Sequence, residues 1–302
     1  MNAIDLHNVR KSFGEKVAVD ALSLTVPEGC IYGFLGPNGA GKTTTLRIIL
    51  GIFYADSGNV TVLGEKDPTR AKERIGYLSE ERGLYGKMNP ADLLTYFAEL
   101  KGMHRAAARD RAVELLEQFG LGEYRDKRCQ TLSKGMAQKV QILRTLIHEP
   151  DLVILDEPFS GLDPLNRDLM RDLILDLKSK GRSIVFSTHI MEQAEQICDS
   201  VLLINNGIKI IDGTVSEVRF AGGRAVRLDY EGTADFVAMP GVTGVNDSGR
   251  QAEIFLEEGA DSQRLLAALV ESGIQVARFD LSELSLHEIF IRAVNGVSDG
   301  LV

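Results

Sequence analysis

The chain opens with apolar and polar positions in alternation. Ala3-Ile4-Asp5-Leu6 and Ala21-Leu22-Ser23-Leu24-Thr25-Val26 repeat every second residue, which predicts half-buried strands, and Pro27-Glu28-Gly29 reads as a turn. Cys30 to Leu35 is apolar throughout and predicts a buried strand. It runs into a glycine-rich segment, after which a helix is expected through Thr44 to Ile52, closing near Gly51. Leu152 to Leu155, Ser183 to Ser187 and Val201 to Ile204 are short, continuous and rich in β-branched residues. Strands covered on both faces of a parallel sheet have this pattern, and the helical patterns between them supply the crossovers.

From about Arg82 to Pro150 helical periodicity takes over, in Ala91 to Lys101, Arg105 to Phe119 and Ser133 to Ile147, and implies an all-helical insertion in an α/β core. Beyond Gly223 the expected order is strand, strand, strand, helix, strand, helix. Asp261 caps Ser262 to Glu271, Ile274 to Leu281 forms a strand, and a last helix runs from about Ser285 to Val294. These segments predict a small α+β domain. No internal repeat or low-complexity segment is visible.

Composition narrows the class. The 302 residues are 44% hydrophobic and 25% charged, an ordinary globular balance with room for two unequal domains. The longest uninterrupted apolar stretch, Ile48 to Ala55, is about half the ~18 residues that a membrane-spanning helix needs. The first residues, MNAIDLHNVRK, put polar and charged groups where a secretory signal needs an apolar core, so a cytoplasmic protein is expected. Cys30, Cys129 and Cys198 are scattered without metal-ligand spacing and read as small buried hydrophobes. A net charge of −9 argues against a nucleic-acid partner. The charge is also uneven: the residues from Ala221 onward hold six Arg, no Lys and thirteen acidic groups. That step, at Ala221-Gly222-Gly223, divides the chain into 1–220 and 221–302.

Two segments carry chemistry. Gly36-Pro37-Asn38-Gly39-Ala40-Gly41-Lys42-Thr43, followed by Thr44, matches G-x-x-x-x-G-K-T between an expected strand and helix, the context that a P-loop requires. Its glycines let backbone amides turn toward phosphates, and the following helix adds its positive end. Lys42 reaches the terminal phosphates and the Thr43 hydroxyl ligates magnesium. Leu152 to Pro158 is an apolar strand ending in two adjacent carboxylates. Asp156 at its tip can hold magnesium opposite Thr43, while Glu157 can orient or deprotonate an attacking water.

With these, further segments follow in a familiar order: Ile75-Gly76-Tyr77-Leu78-Ser79-Glu80, then Leu132-Ser133-Lys134-Gly135-Met136, then the acidic strand, Ser160-Gly161-Leu162-Asp163, and Ser187-Thr188-His189. From about Ile4 to Val218 the sequence resembles the nucleotide-binding subunits of ATP-binding cassette (ABC) transporters, the segments standing where that family has its Q-loop, LSGGQ signature, D-loop and switch histidine. The resemblance implies an α/β P-loop NTPase core with a helical subdomain at about 82–150. It also implies ATP and Mg2+ as ligands, a head-to-tail dimer of nucleotide-binding subunits, and a separate integral-membrane permease at the inner face of the cell membrane. Ser133 and the amide of Gly135 would contact ATP held by the partner subunit. His189 would contact the γ-phosphate and hold Glu157 and water in position, and Phe13 would stack on adenine. The tail after Gly223, with Leu286-His287-Glu288-Ile289-Phe290, resembles that of ATPases serving bacterial sodium, drug or antibiotic export, which implies an exporter.

Two positions depart from that family's pattern. Glu80 stands for the Q-loop glutamine and can still offer an oxygen to magnesium. The signature reads LSKGM, with Lys134 for glycine and Met136 for glutamine. These departures keep open a nucleotide-sensing regulator, beside a soluble ABC ATPase that moves no solute.

Overall fold

The computed structural model describes residues 1–80, 83–257 and 259–294. Arg82, the expected start of the helical insertion, and the tail 295–302 of the expected second domain lie outside the described residues. The chain separates into two compact units, Met1–Asp212 and one beginning at Gly213.

In the first unit β1 (Asn2–Phe13) and β2 (Lys16–Pro27) form an antiparallel hairpin. β3 (Ile31–Leu35) leads into α1 (Lys42–Ile49), and β4 (Ser57–Val62) returns to pair antiparallel with β1. These two pairings make a three-stranded sheet in the order β2-β1-β4. Then come β5 (Ile75–Leu78), the helices α2 (Pro90–Leu100), α3 (Arg105–Gln118) and α4 (Lys134–Leu146), and β6 (Leu152–Asp156). The remainder is α5 (Pro164–Ser179), β7 (Ser183–Thr188), α6 (Met191–Ile197), β8 (Ser200–Asn205) and β9 (Ile208–Thr214).

A six-stranded sheet runs β5-β6-β7-β3-β8-β9, and its β5·β6, β6·β7, β7·β3 and β3·β8 pairs are parallel. β3, β6 and β7 are buried along their whole length, because sheet faces covered on both sides accept only apolar or fully bonded residues. Phe34, Leu46, Ile154, Val185 and Leu202 share one core with Leu22 of the hairpin. The helical insertion has its own core, from Leu93 and Leu94 through Leu115 and Leu116 to Val140 and Leu143.

One expectation changes. The helix expected from Thr44 begins at Lys42, because Gly41 of the phosphate loop is itself the residue before the first turn. Ile75 to Leu78, placed where the family has its Q-loop, forms an edge strand, and Glu80 lies in the bend beyond it. A Cβ at Gly76 would lie 2.5 Å from the backbone oxygen of Thr145, so the glycine lets α4 approach β5 closely.

The second unit contains α7 (Val215–Gly222), β10 (Arg224–Glu231), β11 (Val242–Asp247), β12 (Gln251–Leu256), α8 (Ser262–Glu271), β13 (Gln275–Glu283) and α9 (Leu286–Val294). Three strands, a helix, a strand and a helix follow Gly223, as the pattern predicts. The antiparallel sheet is ordered β11-β12-β10-β13, and Leu265 and Leu269 of α8 join Val226, Leu228 and Ile254 in its core. The unit starts one short helix ahead of the charge step at Ala221, since α7 belongs with α9: Arg292 of α9 donates to the carbonyl of Gly222. Thr214 with Glu217, and Ser285 with Glu288, close reciprocal caps on the first turns of α7 and α9.

Gly76→Ala is expected to destabilise the first unit by about 2 kcal/mol through overpacking. A denaturant titration reads this as a lower midpoint, and an unshifted midpoint would contradict the close approach of α4.

Candidate active site

Parallel strands of this sheet end at one edge, and the site is built there. β3 ends at Leu35, and residues 36–41 loop into α1. Gly41 has φ +108, and a Cβ on it would meet the backbone oxygen of Ala18 at 2.4 Å, so only glycine fits. No side chain caps α1, and its first turn has no acidic residue. The first amides of the helix are therefore left for an anion. A cavity of about 310 Å³ opens over this loop, lined by Asn38, Gly39, Ala40, Gly41, Lys42, Thr43 and Thr44, with Phe13, Lys16, Ala18, Glu80 and Glu157.

Lys42 is buried and its Nζ donates to the carbonyls of Gly36 (2.7 Å) and Pro37 (3.2 Å), 3.4 Å from Glu157 Oε1. Thr43 Oγ1 donates to Asp156 Oδ1 at 3.1 Å. Asp156 is 1% exposed and Glu157 6%. Burying two adjacent carboxylates costs several kcal/mol unless partners meet them, and partners arrive from three elements. Ser187 Oγ, at the end of β7, donates to Asp156 Oδ1 at 2.5 Å and accepts the Glu157 amide at 3.0 Å. His189 Nδ1 lies 3.0 Å from Glu157 Oε2. The other carboxylate oxygen, Asp156 Oδ2, is buried without a hydrogen-bond partner. It and the Thr43 hydroxyl are oxygens of the kind that a hard cation takes as ligands.

Glu157 has φ +48, the left-handed region that costs a non-glycine residue about 1 kcal/mol or more. The turn swings its carboxylate off the strand axis toward His189, which is how two neighbouring acids face different groups. The Tyr77 phenol is pushed above its ordinary range, by burial first and then by the Asp156 charge.

Phe13 is 47% exposed at the cavity rim, its ring edge-on to Phe53 at 5.3 Å with Lys11 Nζ 5.5 Å from its centroid. It is not a core residue. Ser133 and Gly135 are not among the residues lining the cavity; they sit at the start of α4, where Ser133 Oγ accepts the Met136 amide at 3.3 Å. Lys16 and Ala18, which no motif marks, also line the cavity. Lys16 could have been found from the hairpin, whose register sets it opposite Phe13. Ser187 stands out in the sequence only as part of the switch segment.

Residues 19–160 match the ABC transporter family, and residues 213–294 match the C-terminal domain of ATP-binding proteins of the DrrA1-3-like type. ABC transporter ATP-binding protein YhaQ of Bacillus subtilis is 38% identical over 97% of this chain and 99% of its own length. The daunorubicin/doxorubicin resistance ATP-binding protein DrrA of Streptomyces peucetius is 34% identical over 98% of this chain and 94% of its own. This chain belongs to the ATP-binding proteins of ABC transporters. A solved structure of the ATP-binding subunit of an ABC transporter superposes with a TM-score of 0.67 at 30% identity, covering 72% of this chain and 92% of that one. The protein is an ABC ATPase, binding and hydrolysing ATP as a transporter subunit, on an α/β P-loop fold. Subunits of this kind pair with a membrane permease and dimerise. Among the described residues no helix is long and apolar enough to cross a membrane.

Gly41→Val is expected to weaken ATP binding by the ABC ATPase at least tenfold, about 1.4 kcal/mol. Titration with a fluorescent ATP analogue checks it, and wild-type affinity in the variant would mean that the loop does not grip the nucleotide.

Proposed function

We propose that the protein is the ATPase of an exporter, anchored to the inner face of the cell membrane through its permease, and that it works by ATP-driven closure of two copies of the nucleotide-binding subunit. The export reading leans on the similarity to the daunorubicin/doxorubicin resistance protein along nearly its whole length and on the matching C-terminal domain. Those same similarities favour a transporter subunit over a soluble ATPase without a permease or a nucleotide-sensing regulator. The division at about 220, with residues 82–150 as the segment facing the permease, belongs to this proposal.

The mechanism follows from the groups at the strand ends. ATP lies over residues 36–44 with its phosphates against the loop amides and the start of α1, and adenine against the exposed face of Phe13. Lys42 exchanges the carbonyls of Gly36 and Pro37 for phosphate oxygens, which carry full charge and bind an ammonium more strongly than neutral carbonyls. Thr43 and Asp156 fit magnesium, with Glu80 as a further oxygen at the rim; when bound, the ion neutralises charge on the β- and γ-phosphates. Glu157 takes the proton of the attacking water or holds that water in line. His189 keeps Glu157 aimed through the 3.0 Å contact and reaches the γ-phosphate itself. Ser133 and Gly135 of a second copy complete the site, the positive end of α4 stabilising the charge on the transferred phosphoryl group. Closure then follows from ATP binding better to the closed pair than to the open one.

The observation that carries this reading is Asp156 Oδ2, a buried oxygen without a partner on the carboxylate whose Oδ1 the Thr43 hydroxyl bonds. Glu157→Gln is expected to lower turnover by about 10²–10³-fold, the size of a lost general base, while keeping nucleotide affinity. The variant saturated with MgATP should run as a dimer in size-exclusion chromatography with light scattering. A monomer under those conditions, or turnover equal to wild type, would sink the proposal.

A further inference from the structure

We propose that Ser187 is the positioning residue that aims Asp156 at the metal of the nucleotide complex; the inference rests on the reading of Thr43 and Asp156 as the metal's partners. β7 lies between β6 and β3, and its register sets Ser187 directly beside Asp156. Ser187 is fully buried. Its single hydroxyl hydrogen goes to Asp156 Oδ1 at 2.5 Å, so a lone pair is left to accept the Glu157 amide at 3.0 Å. One side chain therefore holds the Asp156 carboxylate and the Glu157 backbone.

Asp156 Oδ1 also accepts from Thr43 at 3.1 Å. Two hydroxyls, one from α1 and one from β7, pin that oxygen and thereby restrict the carboxylate's rotation. A carboxylate torsion is otherwise broad and nearly two-fold. Pinning it leaves Oδ2, buried and without a hydrogen-bond partner, as the carboxylate oxygen that would be open to the metal or its water. The donation from Thr43 has a parallel effect: its hydrogen is committed to Asp156, which turns its lone pairs outward. The bond to the Glu157 amide has a second use, because it stabilises the left-handed turn at Glu157 that points the other acid at His189. Ser187 need not touch nucleotide or metal to do any of this.

A serine that merely fills the core would change stability and leave metal affinity alone. The test compares wild type, Ser187→Ala and Ser187→Thr, each bound to ADP, with Mn2+ titrated and read by electron paramagnetic resonance. Loss of a hydrogen-bond partner that orients a metal ligand typically weakens metal binding 10–100-fold, so Ser187→Ala should weaken Mn2+ binding about tenfold. Ser187→Thr, which keeps the hydroxyl, should restore most of it, and ADP affinity in EDTA should be the same in all three. Steady-state turnover should fall in Ser187→Ala with KM little changed.

Wild-type Mn2+ affinity in Ser187→Ala would overturn the inference. So would a Ser187→Thr variant that melts with the wild type yet binds Mn2+ as weakly as Ser187→Ala. Equal loss of metal-free ADP binding in Ser187→Ala would overturn it too, since the defect would then be general. If wild type itself bound no Mn2+ with ADP, the underlying assignment of Thr43 and Asp156 would fall instead.

Discussion

Two adjacent carboxylates, Asp156 and Glu157, are buried at the end of a strand that is otherwise wholly apolar, and the first unit is arranged around supplying them with partners. Unpartnered, such groups would shift to their neutral forms or pull the strand end apart. Their partners come from separate places in the sequence: Lys42 and Thr43 from the start of α1, Ser187 and His189 from the end of β7 and the loop after it. Strand order makes this possible. With β7 between β6 and β3, the hydroxyl and imidazole at the end of β7 stand next to the acids, and the phosphate loop that follows β3 is one strand further along the same edge. A different order would leave the same residues in the chain without the same site.

This constraint also explains where the backbone is strained. A regular strand would point Asp156 and Glu157 to opposite faces of the sheet. The left-handed turn at Glu157 breaks that alternation, so that both acids lie at the strand ends with different neighbours. The strain is held by two bonds to the Glu157 amide, from the hydroxyl and the carbonyl of Ser187, at 3.0 and 3.2 Å. Strained backbone persists where surrounding contacts overdetermine it, and a catalytic group is where that serves a purpose.

Much of this was legible in the residues. Continuous apolar runs gave the buried strands because a sheet covered on both faces tolerates little else, and G-x-x-x-x-G-K-T gave the phosphate loop because its glycines answer a geometric demand. What could not be read was lateral. Strand order decides that Ser187 lies beside Asp156, and nothing in Ser-Thr-His states its neighbour in space. The edge strand Ile75–Leu78 was placed only by resemblance, as a Q-loop segment; that α4 packs closely against it at Gly76 is a lateral fact too. Lys16 was missed because a hairpin partner is invisible to a motif. The compositional border at Ala221 and the packing border at Gly213 differ because the charge of a segment reports its solvent-facing side, while membership in a unit is decided by the buried side.

The two helix starts singled out by sequence now differ in a way that matters. α1 begins with no side-chain cap and lines the cavity over the phosphate loop. α4 begins with Ser133 as its cap, has no acidic residue in its first turn, and carries Lys134 there, yet it does not line that cavity. Ser133 meets the Met136 amide, Lys134 adds positive charge beside it with no acid to offset it, and this chain's own cavity does not include that helix start. An anion bound there would come from a second copy. The proposed head-to-tail pairing supplies it, and it gives Lys134, foreign to the family's signature, a physical place: a flexible ammonium beside the partner's phosphates can add attraction without the close backbone approach that glycine permits.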